Sequence, residues 1–281
     1  MTRFLLICAS VIGLTTTAFS ANVTNDPPPQ GSALYGATPT VQAHVDLYGG
    51  AMFPSGDFGG SDGLGVFGGA GRANVPLHDG WNLQIDAQSL ALLEQDNGYS
   101  YSAPTEFSGY AHFYKLSPGS HALGVFGGAS WLMGPQVYTA GVEGQMHWQR
   151  FTLYGQASAS ALKVSDISGS AVQLRGQGQW FMTDNTAILG DVLWTSIDLD
   201  GSATDLALIG TLMHRFDGTP IAGFAKVRWD RMDGDGYTGS ATTVLAGIRI
   251  IADPPGSTLR SSLMGVPMNV EPIQFGFLGT N

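Results

Sequence analysis

From Val41 onward the chain alternates apolar and polar residues with a period of two, and past its first 21 residues it holds no continuous apolar run of the ~20 residues that a membrane helix needs. The segment Trp81, Leu83, Ile85, Ala87 alternates with Asn82, Gln84, Asp86, Gln88, and Tyr138, Ala140, Val142, Gly144, Met146, Trp148 with Thr139, Gly141, Glu143, Gln145, His147. The same pattern runs through Val41–Tyr48, Val172–Trp180 and Ile221–Asp230. Successive side chains of a strand point to opposite faces, so each segment has one greasy and one wet side. Helices cannot use this pattern.

Two environments accept such strands. A soluble sandwich packs the apolar faces together and covers the polar ones with Lys and Glu. Here charged residues make up only 12% of the chain, against ~25% in soluble domains, and the polar positions are mostly Gln, Ser and Gly. The other environment is a bilayer, where a barrel turns apolar residues to lipid and polar ones to its interior. The punctuation favours the barrel. Short connections (77–80, 117–119, 149–150, 183–185, 216–218) carry turn residues, and longer polar ones (54–63, 95–104, 132–136, 163–170, 198–204, 230–240) fall between them. Transmembrane barrels alternate tight periplasmic turns with longer external loops in this way. The predicted fold is all-β, an antiparallel up-and-down barrel of about twelve strands, each of roughly nine to twelve residues. Trp81, Trp148, Phe151 and Trp180 sit at strand ends beside short turns, with Trp194 and Trp229 toward the other end, as two interfacial belts would require. One repeat fits awkwardly. Leu64–Ala70 recurs as Leu123–Ala129, yet the strand count runs the two copies in opposite directions with their phenylalanines on different faces.

Residues 1–21 carry one early positive charge at Arg3, an apolar stretch from Phe4 to about Phe19 and a small-residue end at Ala18-Phe19-Ser20-Ala21, the features of a secretory signal peptide. Cys8, the one cysteine, lies inside it, so the exported chain forms no disulfide and no thiolate metal site. Residues 22–40 contain Pro27-Pro28-Pro29 and no periodicity, and are read as a flexible periplasmic leader. The barrel is assigned to 41–252. The remainder, 253–281, is either a tail or a closing strand, because Ile273, Phe275 and Phe277 alternate but the final residue is Asn281.

On this pattern, over residues 41 to about 252, the chain resembles the broad class of Gram-negative outer-membrane β-barrel, porin-like proteins, with no motif that selects one family among them. The resemblance implies a location in the bacterial outer membrane, lipid as the surroundings and passive passage of ions or small polar solutes. No cofactor is implied, no oligomeric state is indicated, and a net charge of −10 argues against nucleic acid as a partner.

The wet face should line the lumen. It carries the cations Arg72, Arg175, Arg215, Lys226, Arg228 and Arg249 and the carboxylates Asp86, Glu94 and Glu143. Arg215, Lys226, Arg228 and Arg249 fall on the last three strands, and the three carboxylates on strands expected across the barrel. Opposed basic and acidic walls would set a transverse field and an ion selectivity. The alternative is that these charges pair and close a narrow lumen, leaving a structural or adhesive barrel with acidic loops. A lipid hydrolase or acyltransferase is the remaining class. It needs a Ser beside a His, but strand pairing puts His147 nearer Thr152 or Tyr154 than Ser158 or Ser160, and no Gly-x-Ser-x-Gly elbow occurs. Finally, Asp198-Leu199-Asp200-Gly201 and Asp233-Gly234-Asp235-Gly236 repeat an Asp-x-Asp-Gly pattern, which is turn chemistry before it is a weak Ca²⁺ site.

Overall fold

The structure, a computed structural model, describes residues 41–57, 63–96, 99–117, 121–132, 135–164, 167–199, 201–254, 256–264 and 271, without the side chains of 94–96, 99–105, 132 and 164. The expected signal peptide and leader, and the 273–277 stretch, lie outside the described residues. Twelve strands are described, β1 (Gln42–Gly56), β2 (Leu64–Pro76), β3 (Trp81–Asp96), β4 (Tyr99–Ser117), β5 (His121–Leu132), β6 (Gln136–Trp148), β7 (Phe151–Val164), β8 (Ile167–Thr183), β9 (Thr186–Asp198), β10 (Ser202–Arg215), β11 (Ile221–Gly234) and β12 (Tyr237–Ala252). Each pairs antiparallel with its neighbours in sequence, and β1 pairs with β12, so the sheet closes into an up-and-down barrel. The closing pair runs from Ala43 opposite Ala252 to Gly56 opposite Gly239, with no strand inserted between.

The strands are longer than a bilayer crossing requires. They range from 12 residues in β5 to 19 in β4, against the ~9–11 that span the hydrocarbon. Much of what reads in the sequence as long external loops is therefore strand. Beyond the membrane each added residue pair still satisfies backbone groups, as at Ser55 opposite Ser240, where the two hydroxyls are 2.8 Å apart. The one shift within the β3–β4 ladder sits at this outer end. Leu90 pairs with Glu106 but Leu92 with Ala103, leaving an extra residue on β4 near Pro104, which has no N–H to give a ladder.

At the opposite rim the connections are tight. Asp79 and Gly80 both have positive φ (56° and 80°), the geometry of the two-residue hairpin turn that matches strand twist, and Leu77 N–H donates to the Trp81 carbonyl at 2.7 Å. The repeated heptapeptide proves incidental. Phe67 on β2 faces outward while Phe126 on β5 is buried inside, its ring lying over Gly141, where a methyl group would come within 2.5 Å of it.

Outward-facing residues are apolar along the whole wall, among them Val125, Val142, Val192, Leu208 and Val244. Aromatic residues gather near both rims. Trp81 stacks on Phe113 at 4.6 Å with Lys115 beside it, and Trp148 lies 5.9 Å from Phe151 at the short-turn rim; Phe107 and Trp131 meet at 6.0 Å toward the other. An apolar band between aromatic girdles is the surface of a transmembrane barrel.

After β12 the chain turns at Asp253-Pro254 into a short helix, α1 (Leu259–Leu263). A capping box starts it: Ser261 N–H donates to Thr258 Oγ1 at 3.2 Å and Thr258 N–H donates to Ser261 Oγ at 2.9 Å. Leu259 and Leu263 pack against the inward residues Phe181, Ala187, Met213, Ala222 and Ile251, so α1 fills the lumen at the short-turn rim. Polar contacts hold it there. Leu259 N–H donates to Asn185 Oδ1 at 3.1 Å, Arg260 N–H to the Asp184 carbonyl at 2.9 Å, and Arg260 pairs with the Asp184 carboxylate at 3.0 Å. Ser262 Oγ donates to Asp253, whose carboxyl burial pushes above its usual range.

Val142 lies mid-strand on the outer face and is 59% exposed. Val142→Arg should lower the unfolding free energy in lipid vesicles by ~2–4 kcal/mol, the cost of a cation at the bilayer midplane. Urea titration followed by tryptophan fluorescence measures it, and an unchanged midpoint would contradict the lipid-facing assignment.

Candidate functional site

The lumen is crossed at mid-height by a girdle of hydrogen-bonded and ion-paired side chains. Asp46 on β1 accepts from Arg249 on β12 through two bonds of 2.7 Å. Arg72 on β2 grips Asp86 on β3 in the same forked way, at 2.9 and 3.1 Å, and Gln84 donates to the same carboxylate at 3.0 Å. His112 on β4 stands between two carboxylates, its Nε2 3.4 Å from Asp86 and its Nδ1 2.9 Å from Glu143 on β6. The Tyr154 hydroxyl on β7 donates to Glu143 at 2.9 Å, and its ring faces the Arg175 guanidinium of β8 at 5.7 Å. Arg175 bonds Asp191 on β9 at 2.8 and 2.5 Å, and Gln177 donates to Asp191 at 2.7 Å. On β11, Arg228 pairs with Asp230, two residues along on the same face, at 2.6 Å.

Register explains most of these partners. Arg72 is directly opposite Asp86, and Asp46 directly opposite Arg249, the closest positions two strands offer. Forked Arg–carboxylate contacts are among the stronger polar links available, and a narrow interior leaves little water to compete with them.

The expected basic wall facing an acidic wall is corrected by this geometry. Arg72, Arg175, Arg228 and Arg249 each take a carboxylate from their own strand or the next, so sign alternates around the belt and the field is local. Asp86 and Glu143 are in the belt, but joined to Arg72, His112 and Tyr154 instead of facing cations across a void. Arg215 is outside it, at the short-turn rim, where its Nε donates to the Thr219 carbonyl at 3.1 Å. Glu94 lies on β3 toward the far rim, and its side chain is outside those described. The partners Asp46, Asp191 and Asp230 stand on the inward faces of β1, β9 and β11, and cross-strand or i, i+2 spacing identifies them once register is known.

One partner carries no such signal. Glu271, from the tail, is buried in the lumen, with Lys226 Nζ donating to its carboxylate at 2.9 Å, Arg228 Nη1 at 3.4 Å and Arg175 Nη2 4.0 Å away. Among the described residues it is the ion-pair partner of Lys226. Beside this cluster lies a cavity of about 160 Å³. One side of it is charged, with Arg175, Lys226, Arg228 and Glu271. An apolar cluster of Tyr48, Met52, Val66, Leu90, Leu92 and Leu245 also lines it, together with the charges of Asp46, Arg72, Glu106 and Arg249.

His147 faces Thr152, directly opposite it, with Nδ1 3.3 Å from Oγ1, whereas Ser158 and Ser160 pair with Gly141 and Thr139. In the outer turns, Asp235 accepts from the Ser202 N–H at 3.0 Å and Asp233 from Arg231 at 3.1 Å, so both carboxylates serve turn structure; Asp200 lies outside the described residues.

In fold the chain is similar to an outer membrane channel from Pseudomonas putida F1, with a TM-score of 0.55 and 10% identity over 80% of this chain and 100% of that one. It also aligns with the NanC porin (TM-score 0.48, 8% identity, 72% of this chain, 98% of that one) and with the KdgM porin in complex with disordered oligogalacturonate (0.46, 8%, 74% and 98%). No protein-family model matches the chain, and no curated protein matches it in sequence. At such identity the first likeness establishes architecture, that of an outer-membrane barrel.

The Arg175–Asp191 pair has side-chain exposures of 1% and 4%. Arg175→Met leaves a buried carboxylate uncompensated and should cost ~3–5 kcal/mol of stability, while Arg175→Met with Asp191→Leu should recover most of it. Denaturant titration of both variants checks this; equal losses in the two would mean the pair is not the determinant.

Proposed function

We propose that the protein is an outer-membrane channel for ions or small polar solutes, exported by residues 1–21 and inserted with its short-turn rim and both strand termini toward the periplasm. The observation that carries this reading is the lumen. A barrel that is lipid-facing outside, yet keeps ionised groups and a cavity on its axis, spends stability on an interior that a purely structural barrel could fill with apolar side chains. The ionised positions Arg72, Asp86, Glu143, Arg175, Lys226, Arg228 and Arg249 would attract or repel a passing charge, and none is asked to do covalent chemistry. Of the lumen cations beside the cavity, Lys226 is the most solvent-accessible, at 22% of its side chain, and is the position at which a solute would first meet positive charge.

A second reading keeps the barrel closed and assigns function to its outer turns. The pairing of the girdle charges and the seating of α1 in one mouth favour it.

Single-channel recording in a planar bilayer separates the two. Discrete current steps are expected from the folded chain, and Lys226→Glu should move the reversal potential in a salt gradient toward cation selectivity. Silence from protein that is folded and heat-modifiable on a gel would establish the closed barrel, and an unmoved reversal potential would remove Lys226 from the conduction path.

A further inference from the structure

Every cation of the girdle except one is neutralised from within the sheet. Arg72 has Asp86, Arg175 has Asp191, Arg228 has Asp230 and Arg249 has Asp46. Lys226, among the described residues, has a carboxylate brought in from outside the ring, Glu271, 45 residues away in sequence. Glu271 comes from beyond β12 and belongs to no described helix or strand. Its oxygens also reach Arg228 and Arg175, which already have partners. A carboxylate that is not part of the strand ring therefore occupies a three-cation site that the strands themselves build.

The cavity beside it has a feature that an ion pore does not need. Tyr48, Met52, Val66, Leu90, Leu92 and Leu245 make one of its walls apolar. Water and inorganic ions gain nothing from that surface, whereas a solute with an apolar body does. At about 160 Å³ the space matches cavities of ~150 Å³ that take up benzene, and falls below the ~300 Å³ at which drug-sized pockets begin. Asp46, Glu106 and Asp191 also line it, set against Arg72 and Arg249, so little positive charge is left over for a second anionic group.

We infer that Arg175, Lys226 and Arg228, with the apolar wall facing them, bind a small monocarboxylate that has an apolar body, and that Glu271 holds the carboxylate position until such a solute replaces it. Exchange of one carboxylate for another leaves the ion-pair count unchanged, which is why Glu271 can leave without exposing Lys226 to an empty, desolvated site. The inference rests on the channel reading, since it names the class of solute that the lumen would select. As a competitor on the same chain Glu271 raises the solute concentration needed to displace it.

Calorimetric titration of the mature chain folded in detergent tests the site directly, with hexanoate as probe, 1-hexanol as the apolar body without charge, and acetate as the charge without the body. Hexanoate should bind at least about tenfold more tightly than either control. Glu271→Gln should raise hexanoate affinity about tenfold more by removing the competitor, Glu271→Asp should stay near wild type, and Lys226→Gln should weaken hexanoate about tenfold. Hexanoate and 1-hexanol binding alike would mean apolar uptake only; hexanoate and acetate binding alike would mean a plain anion site; an unaltered affinity in Glu271→Gln would remove the placeholder role. Any of these overturns the inference. Heat modifiability on a gel verifies folding, and should Glu271→Gln fail it, the Lys226→Gln titration and the wild-type probe comparison decide. Recording currents from the same preparation keeps the two proposals apart. Binding without conductance sinks the channel reading, and conductance without hexanoate preference sinks this one.

Discussion

In hydrocarbon no water is available to satisfy a peptide N–H or C=O, and the closing ladder between β1 and β12 is what removes the last unpaired row of them. Everything else in the molecule follows from that ring. With no free edge, every strand has one face on lipid and one in the lumen, so alternation must be kept through all twelve. A one-residue slip anywhere would exchange the two faces. The bulge near Pro104 sits toward the outer rim, away from the girdle, where a local change of register does not disturb the lumen charges.

Closure also explains the form the interior takes. Twelve strands enclose little room, and side chains directed inward from all of them meet their neighbours before they meet a far wall. Ionisable groups placed there are desolvated, and an unpaired charge in such a space is expensive. The girdle answers this by pairing within a strand or across one ladder: Arg228 with Asp230, Arg72 with Asp86, Arg249 with Asp46. His112 and Tyr154 extend the links between the pairs. These contacts tie the wall of the barrel to itself. The contact between Lys226 and Glu271 differs in kind, because Lys226 belongs to a strand of the ring and Glu271 comes from beyond β12.

The short-turn rim shows a related economy. The strand ends there present Phe181, Met213 and Ile251 inward, an apolar ring that would face water if left uncovered. Leu259 and Leu263 of α1 cover it. Thr258 and Ser261 provide the local hydrogen bonds that let so short a helix form once it has this surface to pack on.

By itself the sequence determined the ring's composition: strands, not helices, about twelve of them, outward Val, Leu and aromatic residues, and inward charges. Period-two patterning, scarce charge and turn residues such as Asp79-Gly80 are local properties, and they act through the geometry of a single strand or hairpin. The identical copies around Phe67 and Phe126 show where local reading ends, since the same seven residues face opposite ways once each strand's register is set. Only the tertiary structure decided which charge meets which. Partnership depends on register between strands far apart in sequence, such as Asp46 with Arg249, and a pattern of charges on one strand carries no record of its neighbour's offset. The extra length of the strands was hidden for the same reason: polar residues read as loop until a partner strand is beside them to complete their backbone bonds. Glu271 was hidden most deeply. The alternation of Ile273, Phe275 and Phe277 just after it says nothing of a lumen carboxylate, and its place beside Lys226 exists only because the closed barrel provides a cavity for it.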